Sequence, residues 1–142
     1  MTTSTAEAIW EGGLKSGNGR FSAGSGAFSG AYSFGTRFEG AKGTNPEELI
    51  AAAHAACLSM ALAAGLEGAG KPATRITTSA ACTIAKADGG FRIATMKLTV
   101  RGVVPGMDQG TFRNAAEEAK RGCPVSLVME GNAEMELDAQ LE

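Results

Sequence analysis

The sequence predicts an α+β fold, and three observations carry that expectation. Apolar and polar residues alternate with period two between residues 76 and 103, and again between 134 and 141. Two capped segments with helical patterning begin near Asn45 and near Asp108. The resulting order is strands, helix, hairpin, helix, strand, without an internal repeat. That order suits segregated helices and strands and not a doubly wound sheet. A chain of 142 residues has the size of one domain, so residues 1–142 are read as a single domain.

Residues 8–40 read as short strands joined by glycine turns. Phe21, Phe28, Tyr32, Phe34 and Phe38 supply their aromatic content, and Gly-Ser breakers separate them. The chain holds 20 glycines, and we assign most of them to turns. A helix start follows. Asn45 suits the N-cap, and Pro46 suits the first helical position, where no amide donor is needed. Glu47 and Glu48 then face the positive end of the dipole, with Glu48 at the capping-box position. The helix is expected to run to about Leu66, with Gly68 and Gly70 as its stop. Eight alanines from Ala51 to Ala64 make it apolar on nearly every face, so it is expected to be buried on most sides. One small domain cannot easily surround such a helix, whereas an interwound dimer can.

Ile76, Thr78, Ala80, Cys82 and Ile84 then share one strand face. The turn Asp88-Gly89-Gly90 leads into a second strand whose Met96, Leu98 and Val100 face inward. Pro105-Gly106 breaks the chain. Asp108 or Thr111 then caps a second helix with a buried stripe of Phe112, Ala115, Ala116, Ala119 and Cys123. Gly122 and Pro124 bracket Cys123 and end that helix, which places Cys123 at a frayed, movable end. In the last strand Met135, Leu137, Ala139 and Leu141 face in.

A net charge of −2 with no basic cluster argues against a nucleic-acid surface or a polybasic membrane patch. No basic and apolar leader precedes Trp10, so a cytoplasmic location is expected. The stretch 49–66 is long enough to span a bilayer. It is mostly alanine and contains His54 and Ser59, and the membrane reading is set aside. Three cysteines without a CxxC pair do not make a secreted disulfide scaffold. They are core residues or redox chemistry. Cys57 falls on the most apolar stripe of its helix, with Ile50, Ala53, Ala61 and Ala64, as a core thiol would. A peroxide-reducing cysteine would instead need a cation beside it in a dry pocket. Cys82 reads as core. His54 and Cys57 are helix neighbours, so a zinc site with another cysteine can be drawn, but the paired ligand spacing is missing. Arg37 and Glu47 have ordinary readings too, as a surface strand charge and a dipole-compensating carboxylate.

The run GTNPEELIAAAHAACLSMAL from Gly43 resembles the helix-and-cysteine signature of the OsmC/Ohr peroxidases. The earlier IWEG and TRFEG, the later GCPVS and the closing strand extend the resemblance over essentially the whole chain. TRFEG with AAHAAC is closer to the OsmC branch. Leu58 departs from it, since Phe is more usual after the cysteine, and this bears on pocket lining. The resemblance implies antiparallel sheets wrapped around central helices in an intertwined homodimer with two active sites at the interface. It implies reduction of organic hydroperoxides, with Cys57 as the peroxidatic and Cys123 as the resolving cysteine. Arg37 matches the arginine that holds the thiolate, and Glu47 the carboxylate that orients it. No metal, haem or other bound cofactor is implied. The reductant would be an external dithiol or a lipoyl-type partner.

Two further expectations follow from helix geometry and composition. Glu47 precedes Cys57 by ten residues, about 15 Å along a helix axis. Antiparallel packing of two such helices would bring Glu47 of one chain to Cys57 of another. We therefore expect a composite site, with Glu47 and Arg37 supplied by the partner subunit. Leu49, Ile50, Met60 and the early Phe residues are the candidates for an apolar substrate pocket, which would favour alkyl peroxides over hydrogen peroxide. The competing readings are a non-catalytic redox sensor or small-molecule binder on the same fold, and a metal-binding module using His54 and cysteines.

Overall fold

The computed structural model describes all 142 residues. The chain forms two compact units, Met1–Leu49 and Ile50–Glu142. In the first, β1 (Ala6–Glu11), β2 (Asn18–Ala23) and β3 (Ser29–Tyr32) form an antiparallel sheet in that order. Its register sets Gly19 opposite both Trp10 and Tyr32. The two rings close over this glycine with centroids 5.5 Å apart. A Cβ on Gly19 would lie 2.5 Å from Tyr32 Cζ and 2.8 Å from Trp10 Cε3. Gly19 therefore serves close packing and not a turn.

The expected strand character of Arg37 is corrected by the structure. Residues Phe34–Phe38 form a short helix, α1. Ser33 caps it: the Thr36 amide donates to Ser33 Oγ, and the Ser33 amide donates to Thr36 Oγ1. This reciprocal box outweighs the β preference of the two phenylalanines. Helix α2 (Pro46–Gly68) begins as expected, with the Glu48 amide donating to Asn45 Oδ1 at 2.9 Å. The Glu48 side chain accepts from Thr44 Oγ1 and does not close the other half of a capping box on Asn45.

In the second unit β4 (Arg75–Ala87) and β5 (Gly90–Val103) form a long antiparallel hairpin. A register shift at Thr83/Ile84 interrupts it. Then follow α3 (Gln109–Gly122), α4 (Pro124–Met129) and β6 (Glu134–Leu141). Asp108 caps α3 by accepting from the Thr111 amide. The sheet order is β4-β5-β6. β6 pairs with β5 in parallel, which departs from the expected all-antiparallel pattern. The reason is connectivity: α3 and α4 carry the chain back to the starting end of β5 before β6 begins.

The core of this unit joins Leu58, Leu62 and Leu66 of α2 to Met96, Leu98 and Val100 of β5 and to Phe112 of α3. Burial of each leucine contributes on the order of 2 kcal/mol. The inward stripe of α2 is thus His54, Leu58, Leu62 and Leu66, at four-residue spacing. The reading of Cys57 as a buried core thiol on the most apolar stripe is corrected: Cys57 is half-buried and packs against the core from beside the leucine stripe. Leucine removes more apolar area from water per position than alanine does, so the leucine face packs inward. The single chain covers the leucine face of α2 and leaves the opposite face open. Ala52, Ala53, Ala56, Met60, Ala63 and Ala64 are exposed, and Met60 is 75% accessible.

Candidate active site

Two sulfurs define the site in the second unit. Cys57 lies in the fourth turn of α2, and Cys123 lies at the junction where α3 ends and α4 begins. Their Sγ atoms are 2.9 Å apart, and both residues are thiols. The frayed, movable Cys123 expected from sequence is corrected. Cys123 is fully buried, its amide donates to the Ala119 carbonyl, and its own carbonyl accepts from the Leu127 amide. Pro124 stops α3 and starts α4, so Cys123 serves as C-cap of one helix and N-cap of the next.

One S–H proton bridges the two sulfurs, and either sulfur can donate it. The surroundings decide where negative charge rests. Burial pushes the Cys57 thiol up, and its hydrogen bond with Cys123 pushes it further, against a smaller opposing contribution from the Val125 amide. Burial also works against a Cys123 thiolate. There, however, hydrogen bonds from Cys57, from the Ser126 amide and hydroxyl and from the Val125 amide outweigh it, and Cys123 is held below the ordinary thiol range. The two amides favour the anion by proximity, although neither makes a full capping bond to the sulfur. The surroundings of Cys57 thus raise its pKa, where a lowered one was expected.

His54 was read as a satisfied polar side chain and as a remote metal ligand. It is fully buried, and its Nε2 lies 2.8 Å from Ser126 Oγ while Nδ1 has no partner. Burial lowers its pKa and keeps the ring neutral. No group of three His, Cys, Asp or Glu side chains is placed to hold a metal ion. Ser126 is the site residue that sequence reasoning missed. Its signal was present in GCPVS, which sets a hydroxyl three positions after Cys123 across a proline-started helical turn.

Arg37 and Glu47 meet in the first unit. Arg37 Nη2 donates to Glu47 Oε1 at 2.7 Å, and Nε is 3.2 Å from both carboxylate oxygens. The carboxylate is 7% accessible and the guanidinium 37%. This geometry fixes the plane of the guanidinium and leaves Nη1 for another acceptor. The guanidinium carbon also lies 5.3 Å from the Phe38 ring centroid. Beside it is an open pocket of about 270 Å³ lined by Trp10, Leu14, Tyr32, Phe34, Arg37 and Phe38, among others. The early aromatic residues thus line an apolar pocket. Leu49, Ile50 and Met60 are not among its lining residues: Leu49 is half-buried, Ile50 packs on the core of the second unit, and Met60 is exposed. The four expected catalytic residues therefore come together two by two, Arg37 with Glu47 and Cys57 with Cys123.

The sequence profile of the family described as OsmC-like protein matches residues 39–138. The chain is 50% identical over 137 residues to peroxiredoxin OsmC of Escherichia coli (strain K12), covering 96% of this chain and 94% of that one. It is 33% identical over 99 residues to the organic hydroperoxide resistance protein of Xanthomonas axonopodis pv. citri (strain 306), with 69% and 68% covered. Among solved structures, the organic hydroperoxide resistance protein of Elizabethkingia anophelis superposes with a TM-score of 0.79 at 26% identity, covering 99% of each chain. The organic hydroperoxide resistance protein OhrB of Bacillus subtilis superposes with a TM-score of 0.77 at 26% identity, covering 96% of this chain and 98% of that one. Sequence and fold agree, and the chain belongs to the OsmC family.

Proposed function

We propose that this chain is a thiol peroxidase that reduces organic hydroperoxides to alcohols and protects against oxidative stress. The names of its relatives, a peroxiredoxin and organic hydroperoxide resistance proteins, support the activity. The observation that carries the chemistry is the Cys57–Cys123 pair at 2.9 Å, half-buried on one side and fully buried on the other. The more accessible sulfur meets the peroxide. The Cys57 thiolate attacks the terminal oxygen, the O–O bond breaks, and the departing alkoxide takes a proton and leaves as the alcohol. Cys57 is then a sulfenic acid. Cys123 attacks it, the S–S bond forms, and the sulfenic oxygen departs as water with the Cys123 proton. An external dithiol or lipoyl-type reductant reopens the disulfide by exchange. The cycle uses no bound cofactor.

Burial raises the Cys57 pKa, so the proposal needs a cation at that sulfur in the working assembly. Arg37 is the candidate. Glu47 fixes its guanidinium while Nη1 stays available to a thiolate or a peroxide oxygen. We assign the working form to a cytoplasmic homodimer acting as one OsmC-like domain per chain, residues 1–142. In it Arg37 and Glu47 of one subunit serve Cys57 of the other. The exposed apolar face of α2 supports the dimer. Leu49, Ile50 and Met60 would line the alkyl side of the assembled pocket, together with the aromatic residues beside Arg37.

A steady-state assay with a dithiol reductant tests the function. We expect kcat/KM for cumene hydroperoxide to exceed that for hydrogen peroxide by tenfold or more, because only the organic substrate carries apolar area to bury. Stoichiometric oxidation of Cys57 without sustained turnover would replace the enzyme by a redox sensor.

A further inference from the structure

The buried pair His54 and Ser126 has no part in the cycle above. We propose that it is a positioning device for the resolving step: neutral His54 donates from Nε2 to Ser126 Oγ, which turns the Ser126 hydroxyl proton onto the Cys123 sulfur and prepares that sulfur to attack the Cys57 sulfenic acid. The inference rests on the thiol-peroxidase reading and deepens it.

Two short contacts flank the first turn of α4. His54 Nε2 is 2.8 Å from Ser126 Oγ, Ser126 lies in the turn that Cys123 caps and its hydroxyl favours the Cys123 anion, and the Cys123 sulfur is 2.9 Å from Cys57 Sγ. His54, Ser126 and Cys123 are all buried, so water does not compete for these bonds. A hydroxyl has a single proton to give, and the tautomer of His54 decides its direction. With the proton on Nε2, His54 donates to the hydroxyl oxygen and the O–H is free for sulfur. With the proton on Nδ1, the hydroxyl must instead turn to Nε2. Nδ1 has no partner. An unpaired buried N–H is a rarer and costlier defect than an unpaired lone pair, which places the proton on Nε2. Burial also disfavours imidazolium, so His54 acts as a fixed donor and not as a base. The charged groups Lys120, Arg121 and Glu130 line an open cleft that Ser126 also borders. Arg121 and Glu130 are exposed and Lys120 is half-buried.

In the step itself the Cys123 sulfur forms the S–S bond while the S–O bond of the sulfenic acid breaks. Cys57 sulfur is reduced and Cys123 sulfur oxidised, and the oxygen leaves as hydroxide, which takes up the proton that Cys123 released on ionising and departs as water. The Ser126 O–H stabilises the nucleophilic anion before attack. It is neither consumed nor transferred.

The test separates the two oxidation steps by rapid mixing with excess cumene hydroperoxide, following Cys57 sulfenic acid by trapping and disulfide closure by mass. Cys123 is titrated separately by thiolate absorbance in a Cys57→Ser background. Ser126→Ala is expected to slow disulfide closure about tenfold and raise the Cys123 pKa by about one unit, with the rate of sulfenic acid formation as internal reference. His54→Gln keeps a neutral N–H donor and is expected to stay within about threefold of wild type, whereas His54→Met follows Ser126→Ala. Unchanged closure and titration in Ser126→Ala overturn the proposal, as does a Gln variant no better than Met. Circular dichroism checks folding, and if Ser126→Ala does not fold, the two His54 variants decide by the same readouts. If Cys57 is never oxidised, the peroxidase reading fails. The titration of Cys123 still decides the donor chain.

Discussion

Two sulfurs 2.9 Å apart divide their roles by what surrounds each. Cys57 sits at the edge of the α2 core stripe, where a substrate can reach it, and Cys123 is locked between two helices. Cys57→Ser is therefore expected to abolish turnover. Cys123→Ser should permit one oxidation of Cys57 per chain and then stall, read as a burst of peroxide consumption equal to the protein concentration. A Cys123→Ser enzyme that cycles at wild-type rate with the same dithiol would remove Cys123 from the mechanism. Arg37→Lys keeps the charge but loses the forked grip on Glu47, and a fall in kcat/KM of tenfold or more is expected. His54 makes a prediction about stability. Burial holds its folded pKa below the value of about 6.5 that it has in an unfolded chain. Below that pH the unfolded state takes up the proton more readily, so the stability present above it drains away as acid is added. The carboxyls of Asp108 and Asp138 are held low by hydrogen bonds from the Thr111 amide and from Arg101, and they act in a more acid window. The urea midpoint should fall between pH 7.5 and 5.5, and His54→Gln should flatten that fall. An equally steep fall in the variant would assign it to another group.

At the level of elements, the sequence was legible where one periodic pattern met one cap. Asp108 and the Phe112–Ala116–Ala119 stripe gave α3, and Met96, Leu98 and Val100 gave the inward face of β5. Asn45 and Pro46 gave the start of α2. Three features were not legible, each for a physical reason. Helix α1 is five residues long, too short to show a period, and only its Ser33–Thr36 box announces it. The direction of β6 cannot be read from alternation, which reports the face of a strand and not its polarity. The inward face of α2 was misjudged because alanines counted as much as leucines in the pattern. The Arg37–Glu47 and Cys57–Cys123 pairings followed the family resemblance, while the contact of Ser126 with His54, 72 residues apart in sequence, shows only in the fold. Glycine carried a further hidden signal, since Gly19 and Gly102 lie inside strands and make room for rings. A Cβ on Gly102 would stand 2.5 Å from Cε1 and Cζ of the fully buried Phe112. Gly102→Ala should therefore cost about 1–3 kcal/mol by urea denaturation. Adding Phe112→Leu should return part of that loss, because the two changes share one contact and do not add. Strict additivity of the two costs would show that the ring and the glycine are not coupled.

At the level of the whole molecule, the chain displays a helix face that one copy leaves uncovered. Ala52, Ala53, Ala56 and Met60 form an apolar strip on α2 opposite the leucines. Small residues at such a face let a second helix come close, and a charge there is hard to pack. Met60→Glu is accordingly expected to shift the mass in sedimentation from dimer to monomer and to remove peroxidase turnover with it. A composite site makes a stricter demand that composition of the dimer can answer. A protomer with Arg37→Ala keeps Cys57, and a protomer with Cys57→Ser keeps Arg37. Each homodimer lacks a working site. Unfolded together and refolded in equal amounts, they should form mixed dimers for about half of all dimers, by random pairing across a two-fold axis. If Arg37 crosses to the partner, each mixed dimer holds one intact site, and about a quarter of wild-type activity returns, since half the dimers carry half their sites. If Arg37 serves its own chain, every site in the mixture lacks either the cation or the nucleophile, and activity stays at the level of the separate variants. The two arrangements differ in connectivity alone, so the recovered fraction identifies which chain supplies the guanidinium to the sulfur.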